Sequence, residues 1–117
     1  MSAGAQLSVT DMRRSTRHPV DYRVIGEHRQ RGDLQLHIVN LSAHGFMAQD
    51  DPAEGAVKLG RGERLIIRLP QVGRIEAHLI WTSGDRAGFQ FERIIRAADF
   101  IALIDTLQPN PRLRARR

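Results

Sequence analysis

The sequence predicts a mainly β protein, a small antiparallel β-barrel of six to seven strands with a C-terminal α-helix packed on it. Short segments in which apolar and polar residues alternate recur about every 8 to 12 residues, as in antiparallel sheets with one buried face. Glycine, proline and aspartate separate these segments. Only near residue 97 does the apolar spacing change to that of a helix. The 117 residues are enough for one hydrophobic core.

The first half of the chain contains three predicted strands. They cover 20–24, 34–38 and 46–48. Pro19 favours an extended entry into the first strand, because the residue before a proline avoids helical backbone. The glycines and polar residues of 26–32 predict a connection to the second strand, which delivers Asn40 at its end. Asp50, Asp51 and Pro52 form a turn signal after the third strand.

The second half contains three more strands and the helix. After a predicted loop at 53–64, the strands cover 65–69, 75–81 and 87–91, and a turn at 83–85 joins the last two as a hairpin. Trp81 and the phenylalanines fall at alternating positions assigned to the buried face, so we expect them in the core. The predicted helix covers 97–108, because Phe100, Leu103, Ile104 and Leu107 lie on one helical stripe. Pro109 and Pro111 end it.

Composition indicates the kind of protein but not its ligand. With no cysteine, the fold has no disulfide framework and no thiolate ligand. No signal-peptide pattern or membrane-length apolar run is present, and we therefore expect a soluble cytoplasmic protein. The expected organisation is a disordered lead at 1–10, a domain at 11–108 and a basic tail at 109–117. Within the domain, 11–18 is an arginine arm, 19–93 the barrel and 97–108 the helix.

The net charge of +5 is unevenly distributed. Residues 1–32 hold six arginines against three acids, residues 33–108 hold eight basic residues against ten acids, and residues 109–117 hold four arginines and no acid. The body is therefore slightly acidic and the two ends are basic. Basic segments attract phosphate groups of nucleotides, nucleic acids or lipids alike, so charge does not select the partner.

Two short motifs carry candidate chemistry. Arg13 and Arg17 form an R-x-x-x-R pair just before the first strand. A guanidinium can donate two parallel hydrogen bonds to O6 and N7 of guanine or stack on the ring, and each good bidentate pair is worth about 1–3 kcal/mol of discrimination. Arg14 either reaches a phosphate or faces water. Solvated arginines in a flexible arm are the alternative interpretation of this motif alone.

The second motif is N-x-S-x-x-G, formed by Asn40, Ser42 and Gly45 between two predicted strands. The Asn40 amide can accept from the N1 or N2 hydrogens of guanine and donate in return, and the Ser42 hydroxyl can bridge a base edge or a phosphate. Gly45 allows positive φ where a ligand must approach the backbone. Taken alone, the stretch is also a common polar turn of an all-β protein.

The two motifs, in this order, resemble those of the PilZ domain, a bacterial receptor family for the second messenger cyclic di-GMP. The resemblance extends from Arg13 to about Leu107 and includes the closing hairpin and the terminal helix. It implies that Arg13, Arg17, Asn40, Ser42 and Gly45 clasp cyclic di-GMP from two sides. We expect a stand-alone receptor that orders its arm on binding and acts on an unknown downstream protein partner, as a monomer or weak homo-oligomer.

Other functions have weaker sequence support. The five histidines lack metal-ligand spacing, Ser42 has no catalytic partner at a recognisable spacing, and we expect neither metal, cofactor nor enzyme activity. One alternative is a small basic barrel that binds single-stranded nucleic acid, although the strands lack the exposed aromatic and basic residues of stacking platforms. Another is a PilZ-like adaptor that has lost its ligand, in which an eroded motif would be expected. His44 is interpreted as an exposed turn residue.

Overall fold

The computed structural model describes residues 16–50 and 59–107. Six strands and one helix lie within them. They are β1 (His18–His28), β2 (Gly32–Leu41), β3 (Gly45–Gln49), β4 (Arg64–Leu69), β5 (Gly73–Ser83), β6 (Arg86–Phe91) and α1 (Ala97–Thr106). The predicted fold class is confirmed. The predicted lead at 1–10, most of the arginine arm and the basic tail lie outside the described residues.

The strands close into an antiparallel barrel in the order β1, β2, β3, β6, β5, β4, and β4 returns to β1 through Glu27 and Ile66. Closure leaves no sheet edge free among these strands, so each strand has a neighbour on both sides to which its backbone N–H and C=O groups can bond. The predicted hairpin of the fifth and sixth strands is present, with Gly84 in the tight turn at a φ of 61°. A left-handed backbone of this kind favours glycine.

The alternation of the strands fills the barrel with apolar side chains. Ile38, Ile67 and Ile75 are fully buried, and the rings of Phe46 and Phe89 stack with centroids 4.8 Å apart. All four phenylalanines are buried, as the sequence predicts. Burial of this kind contributes about 25 cal/mol per Å² of apolar surface and is the main stabilising contribution for a chain without disulfides.

The helix packs on the barrel through the predicted stripe. Phe100, Leu103 and Leu107 are buried, and the Phe100 ring lies 5.4 Å from the ring of His18 at the start of β1. The helix ends at Thr106, slightly earlier than predicted, because Leu107 is already extended with ψ of 150°. No helix of the described segments is long and apolar enough to cross a membrane.

The polar connection predicted at 26–32 is wrong. β1 continues to His28, and Gly26 pairs with Leu34 in the β1–β2 hairpin, so the connection shrinks to the residues between His28 and Gly32. Gly26 leaves room inside the strand for the buried Leu36, whose Cδ1 would lie 2.9 Å from a Cβ at this position. Strand pairing thus determines the conformation at a residue whose intrinsic preference is for a turn.

Candidate functional site

A groove of about 230 Å³ crosses the outer surface of β2, β3, β6 and β5. It contains residues of both predicted motifs together with residues that belong to neither motif. Its lining includes Arg17, Asn40, Ser42, His44, Gly45, Met47, Trp81, Gly88 and Gln90. The groove therefore brings one arginine of the first motif together with the whole second motif.

Two irregularities in strand register turn the residues at the ends of this groove outward. In β2, Ile38 pairs with Ala48 but Asn40 pairs with Met47, so β2 has one extra residue. In β5, Leu79 pairs with Phe89 but Trp81 pairs with Gly88, so β5 also has one. Simple alternation would assign Asn40 and Trp81 to the core face. Bulges re-aim side chains in this way and are common beside binding sites.

Asn40 carries an unsatisfied polar atom. Its Oδ1 is buried, and it is the single buried side-chain nitrogen or oxygen in residues 16–50 and 59–107 without a hydrogen-bond partner. A buried acceptor without a partner costs about 1–3 kcal/mol, so native proteins contain few of them. Because Asn40 lines the groove, rotation of its side chain would present this oxygen to an incoming N–H donor.

Trp81 was predicted to be a core residue, and this is wrong. It is half-buried and lies on the outer surface, where its indole covers the backbone of Gly88. A Cβ on Gly88 would lie 2.1 Å from the indole Nε1, so a glycine is required for the ring to lie this close to β6. The sequence does hold a signal for this arrangement, since a glycine interrupts an otherwise bulky strand opposite the single tryptophan.

Ser42 organises the turn 42–45. Its side chain is buried; its Oγ accepts the His44 N–H at 3.2 Å, and its backbone N–H donates to the Gly45 carbonyl at 2.9 Å. These contacts lie within the turn, so the serine fixes the backbone that follows Asn40. His44, at the tip of the turn, is exposed, as the sequence predicts.

Gly45 is required for a different reason from the one predicted. Positive φ occurs at Gly32, Gly62, Gly73 and Gly84 among the described glycines, so Gly45 does not adopt the positive φ that a glycine allows. Instead, a Cβ at Gly45 would lie 2.0 Å from the carbonyl oxygen of Phe89. The glycine allows β3 and β6 to pair closely beneath the groove.

Of the predicted arginines, Arg17 is described, and Arg13 and Arg14 lie outside the described residues. Arg17 is exposed and lines the groove immediately before β1. Its guanidinium adds positive charge at the Asn40 end, which suits an anionic ligand.

The turn 42–45 is attached to the segment that leads into α1. The Phe91 N–H donates to the His44 carbonyl at 2.8 Å, and the Ile95 N–H donates to the Ala43 carbonyl at 3.0 Å. Next to Arg17, the His18 ring contacts Phe100 of the helix. The turn 42–45 and the start of β1 next to Arg17 are therefore both in direct contact with the chain around α1.

A second polar cluster shares no residue with the groove lining and is held together by hydrogen bonds. His28 Nδ1 accepts the backbone N–H groups of Gln30 and Arg31 at 3.1 and 3.0 Å, so its Nε2 carries the proton donated to Glu63 at 2.8 Å. The Gly60 N–H also donates to Glu63 and lowers the pKa of that carboxyl, an effect to which His28 and Arg31 add. We call these residues the His28–Glu63 network.

Metal binding finds no support in the described segments, where no group of three or more histidine, cysteine or acidic side chains could hold an ion.

A family model described as the PilZ domain matches residues 11–107, which is most of the chain. The match includes both motifs and the Trp81–Gly88 pair. A search of curated proteins finds no match to the chain. The PilZ domain is a family of cyclic di-GMP receptors.

Proposed function

The chain belongs to the PilZ domain family, and on this basis we propose that it is a receptor for cyclic di-GMP. The proposed ligand contacts are Arg13, Arg17, Asn40, Ser42 and Gly45, with Arg14 beside the phosphates. The protein would act as a ligand-binding module, not as an enzyme, and would pass the signal to a protein partner.

The unsatisfied Asn40 Oδ1 is the observation that carries this proposal. Guanine presents N–H donors at N1 and N2 on the edge opposite its N7. A guanine placed against Asn40 would satisfy the buried oxygen and remove its desolvation cost, so ligand binding gains energy that the free protein lacks. Neither a phosphate nor a purely apolar ligand offers such a donor.

Arg17 complements Asn40 from the other side of the base. A guanidinium can bond O6 and N7 or stack on the ring, and it remains charged for the ligand phosphates. Arg17 and Asn40 line the same groove. The same ring could thus be read on two edges, and guanine is the base that presents two acceptors on one edge and donors on the other.

Trp81 supplies a flat surface at the far end of the groove. From Asn40, the residues across successive strands are Met47, Gly88 and then Trp81, a distance of about 14 Å for three strand spacings. Stacking of a base on an aromatic side chain is worth about 1–3 kcal/mol. We propose that the second base of the dinucleotide stacks on the Trp81 indole.

For signalling, we propose that ligand orders the arm 11–18 over the groove and alters the surface around α1 that a partner would contact. The hydrogen bonds from Phe91 and Ile95 to the turn 42–45 and the His18–Phe100 ring contact support such a connection. A ligand can shift such an equilibrium only through different affinity for the two arrangements, and the contacts with Arg17 would provide that difference.

Calorimetric titration of the purified chain tests the proposal, with cyclic di-GMP as ligand and GTP and a short single-stranded oligonucleotide as controls. We expect clear binding of cyclic di-GMP and at least tenfold weaker binding of GTP. Arg17→Ala should lower affinity at least tenfold and leave the melting temperature unchanged, because Arg17 is exposed.

Arg17→Lys separates base reading from charge. Lysine keeps the charge but lacks the planar fork, so it should behave nearly like alanine if Arg17 reads guanine. Full rescue by lysine at low salt, with binding that falls steeply as salt rises, would reduce Arg17 to a phosphate contact. Binding of the oligonucleotide without binding of cyclic di-GMP would refute the receptor proposal in favour of a nucleic-acid-binding barrel.

A further inference from the structure

A row of polar side chains lies beside the groove, one step along the strands from Met47, Gly88 and Trp81. Strand pairing sets Gly45 opposite Gln90, Gln90 opposite His78 and His78 opposite Arg64. The buried residues Ala77 and Leu79 flank half-buried His78, so the imidazole is on the outer face. We call Gln90, His78 and Arg64 the polar row.

The polar row begins at Gln90 in the groove lining, and its other end, Arg64, lines a neighbouring cavity together with Glu76. Gly88 and Gln90 are two residues apart on β6, which is about 7 Å along a strand. Gln90 already lines the groove, and His78 and Arg64 continue from it across β5 and β4. A ring that stacks on the indole above Gly88 would therefore direct one edge toward this row.

Arg64 is available for such a contact. Its side chain is 72% exposed, and its ion pair with Glu76 has a nitrogen–oxygen distance of 3.8 Å. Exposed pairs of this kind contribute little to stability, so turning the guanidinium toward a ligand costs little. The long, flexible side chain can reach over His78, its cross-strand neighbour.

Acidic residues mark the far side of the polar row. The Glu92 N–H donates to the Glu76 carbonyl, and the Glu92 carboxylate accepts the Glu76 N–H at 3.0 Å, so these two acids are adjacent. Glu76 is also opposite Ile66 on β4. Two carboxylates would repel a phosphate group, and an anionic ligand would therefore place a base edge, not a phosphate, at the polar row.

We propose that the polar row reads the O6 and N7 edge of the second guanine and makes the protein selective for guanine at that end of the ligand. The inference rests on the proposed receptor function. Guanine presents two acceptors on this edge, whereas adenine presents N7 and an N6 amino donor. Arg64 can only donate, so it pairs with guanine at both positions and opposes the adenine amino group.

The test compares cyclic di-GMP with the 3′,3′-linked cyclic GMP-AMP, which keeps one guanine and replaces the other by adenine. Titration of the full chain should show at least tenfold preference for cyclic di-GMP. Arg64→Ala should remove most of this preference by weakening cyclic di-GMP while leaving the hybrid within about twofold. His78→Ala should reduce the preference in the same direction by a smaller factor.

Arg68→Ala is the matched control. Arg68 is on the same face of β4, is 63% exposed and pairs with Glu27, but it is opposite Arg74, away from His78. This variant should keep the wild-type preference. Equal weakening of both ligands by Arg64→Ala, or an unchanged preference, would overturn the assignment of the polar row. If the wild type binds neither dinucleotide, the receptor proposal itself fails, which is a distinct result.

Discussion

The groove and the His28–Glu63 network are both built from a turn, a histidine and polar side chains on the same barrel, yet they differ in hydrogen bonding. In the network, His28 and Glu63 bond to one another and to three backbone N–H groups. In the groove, a buried oxygen of Asn40 has no partner among the described residues. The difference fits the proposal that the polar groups of the network stabilise the fold and those of the groove bind a ligand.

The largest expected effect on stability comes from the network. His28→Ala removes the acceptor for the N–H groups of Gln30 and Arg31 and the donor to Glu63. We expect the free energy of unfolding to fall by about 1–3 kcal/mol, because these groups lose buried partners. Denaturant unfolding measures the loss, and affinity for cyclic di-GMP should stay within twofold.

His37→Ala is the control for that variant. His37 also bonds a carboxylate, Asp21 at 2.7 Å, but both side chains are more exposed, at 21% and 39%. Its effect on stability should be well under that of His28→Ala. Equal losses for the two variants would contradict a special stabilising role of the network.

The second prediction concerns the unsatisfied atom in the groove. Asn40→Leu removes the orphan oxygen while keeping a side chain of similar size, so the free energy of unfolding should stay within about 0.5 kcal/mol of wild type or rise. Affinity for cyclic di-GMP should fall at least tenfold, about 1.4 kcal/mol. A large loss of stability with unchanged binding would show that Asn40 stabilises the fold, as the polar groups of the His28–Glu63 network are expected to do.

The smallest expected effect is a pH dependence of stability that comes from Glu63 of the network. The pKa of Glu63 is lowered from about 4.5 by the Gly60 N–H, His28 and Arg31. The unfolded chain therefore binds the proton more readily, and the stabilisation is present above about pH 4.5 and is lost as pH falls through the lower folded pKa. Unfolding midpoints measured from pH 6 down to acid should fall less steeply for Glu63→Gln than for wild type or Asn40→Leu. Parallel curves for all three would show that Glu63 contributes no such linkage.

The barrel follows from local patterns in the sequence, because a strand period of two and a final helical stripe can be recognised without knowing which strands are neighbours. Six strands and the helix were predicted close to their observed positions. Where pairing overrode a local preference, as at Gly26, the predicted boundary moved. The family resemblance also came from short contiguous motifs, and the match over residues 11–107 confirms the family. The roles of individual residues remain predictions.

Which side chains meet at the groove depends on strand pairing across the whole barrel. Alternation assigns both Asn40 and Trp81 to the interior, and each is turned outward by one extra residue in its strand. The reason for Gly45 is likewise visible only when Phe89 of another strand is beside it. A bulge depends on the register between two strands distant in sequence, and a close approach depends on which strands are neighbours. Neither quantity is encoded in a local period, which is why the fold could be predicted from the chain and the full groove could not.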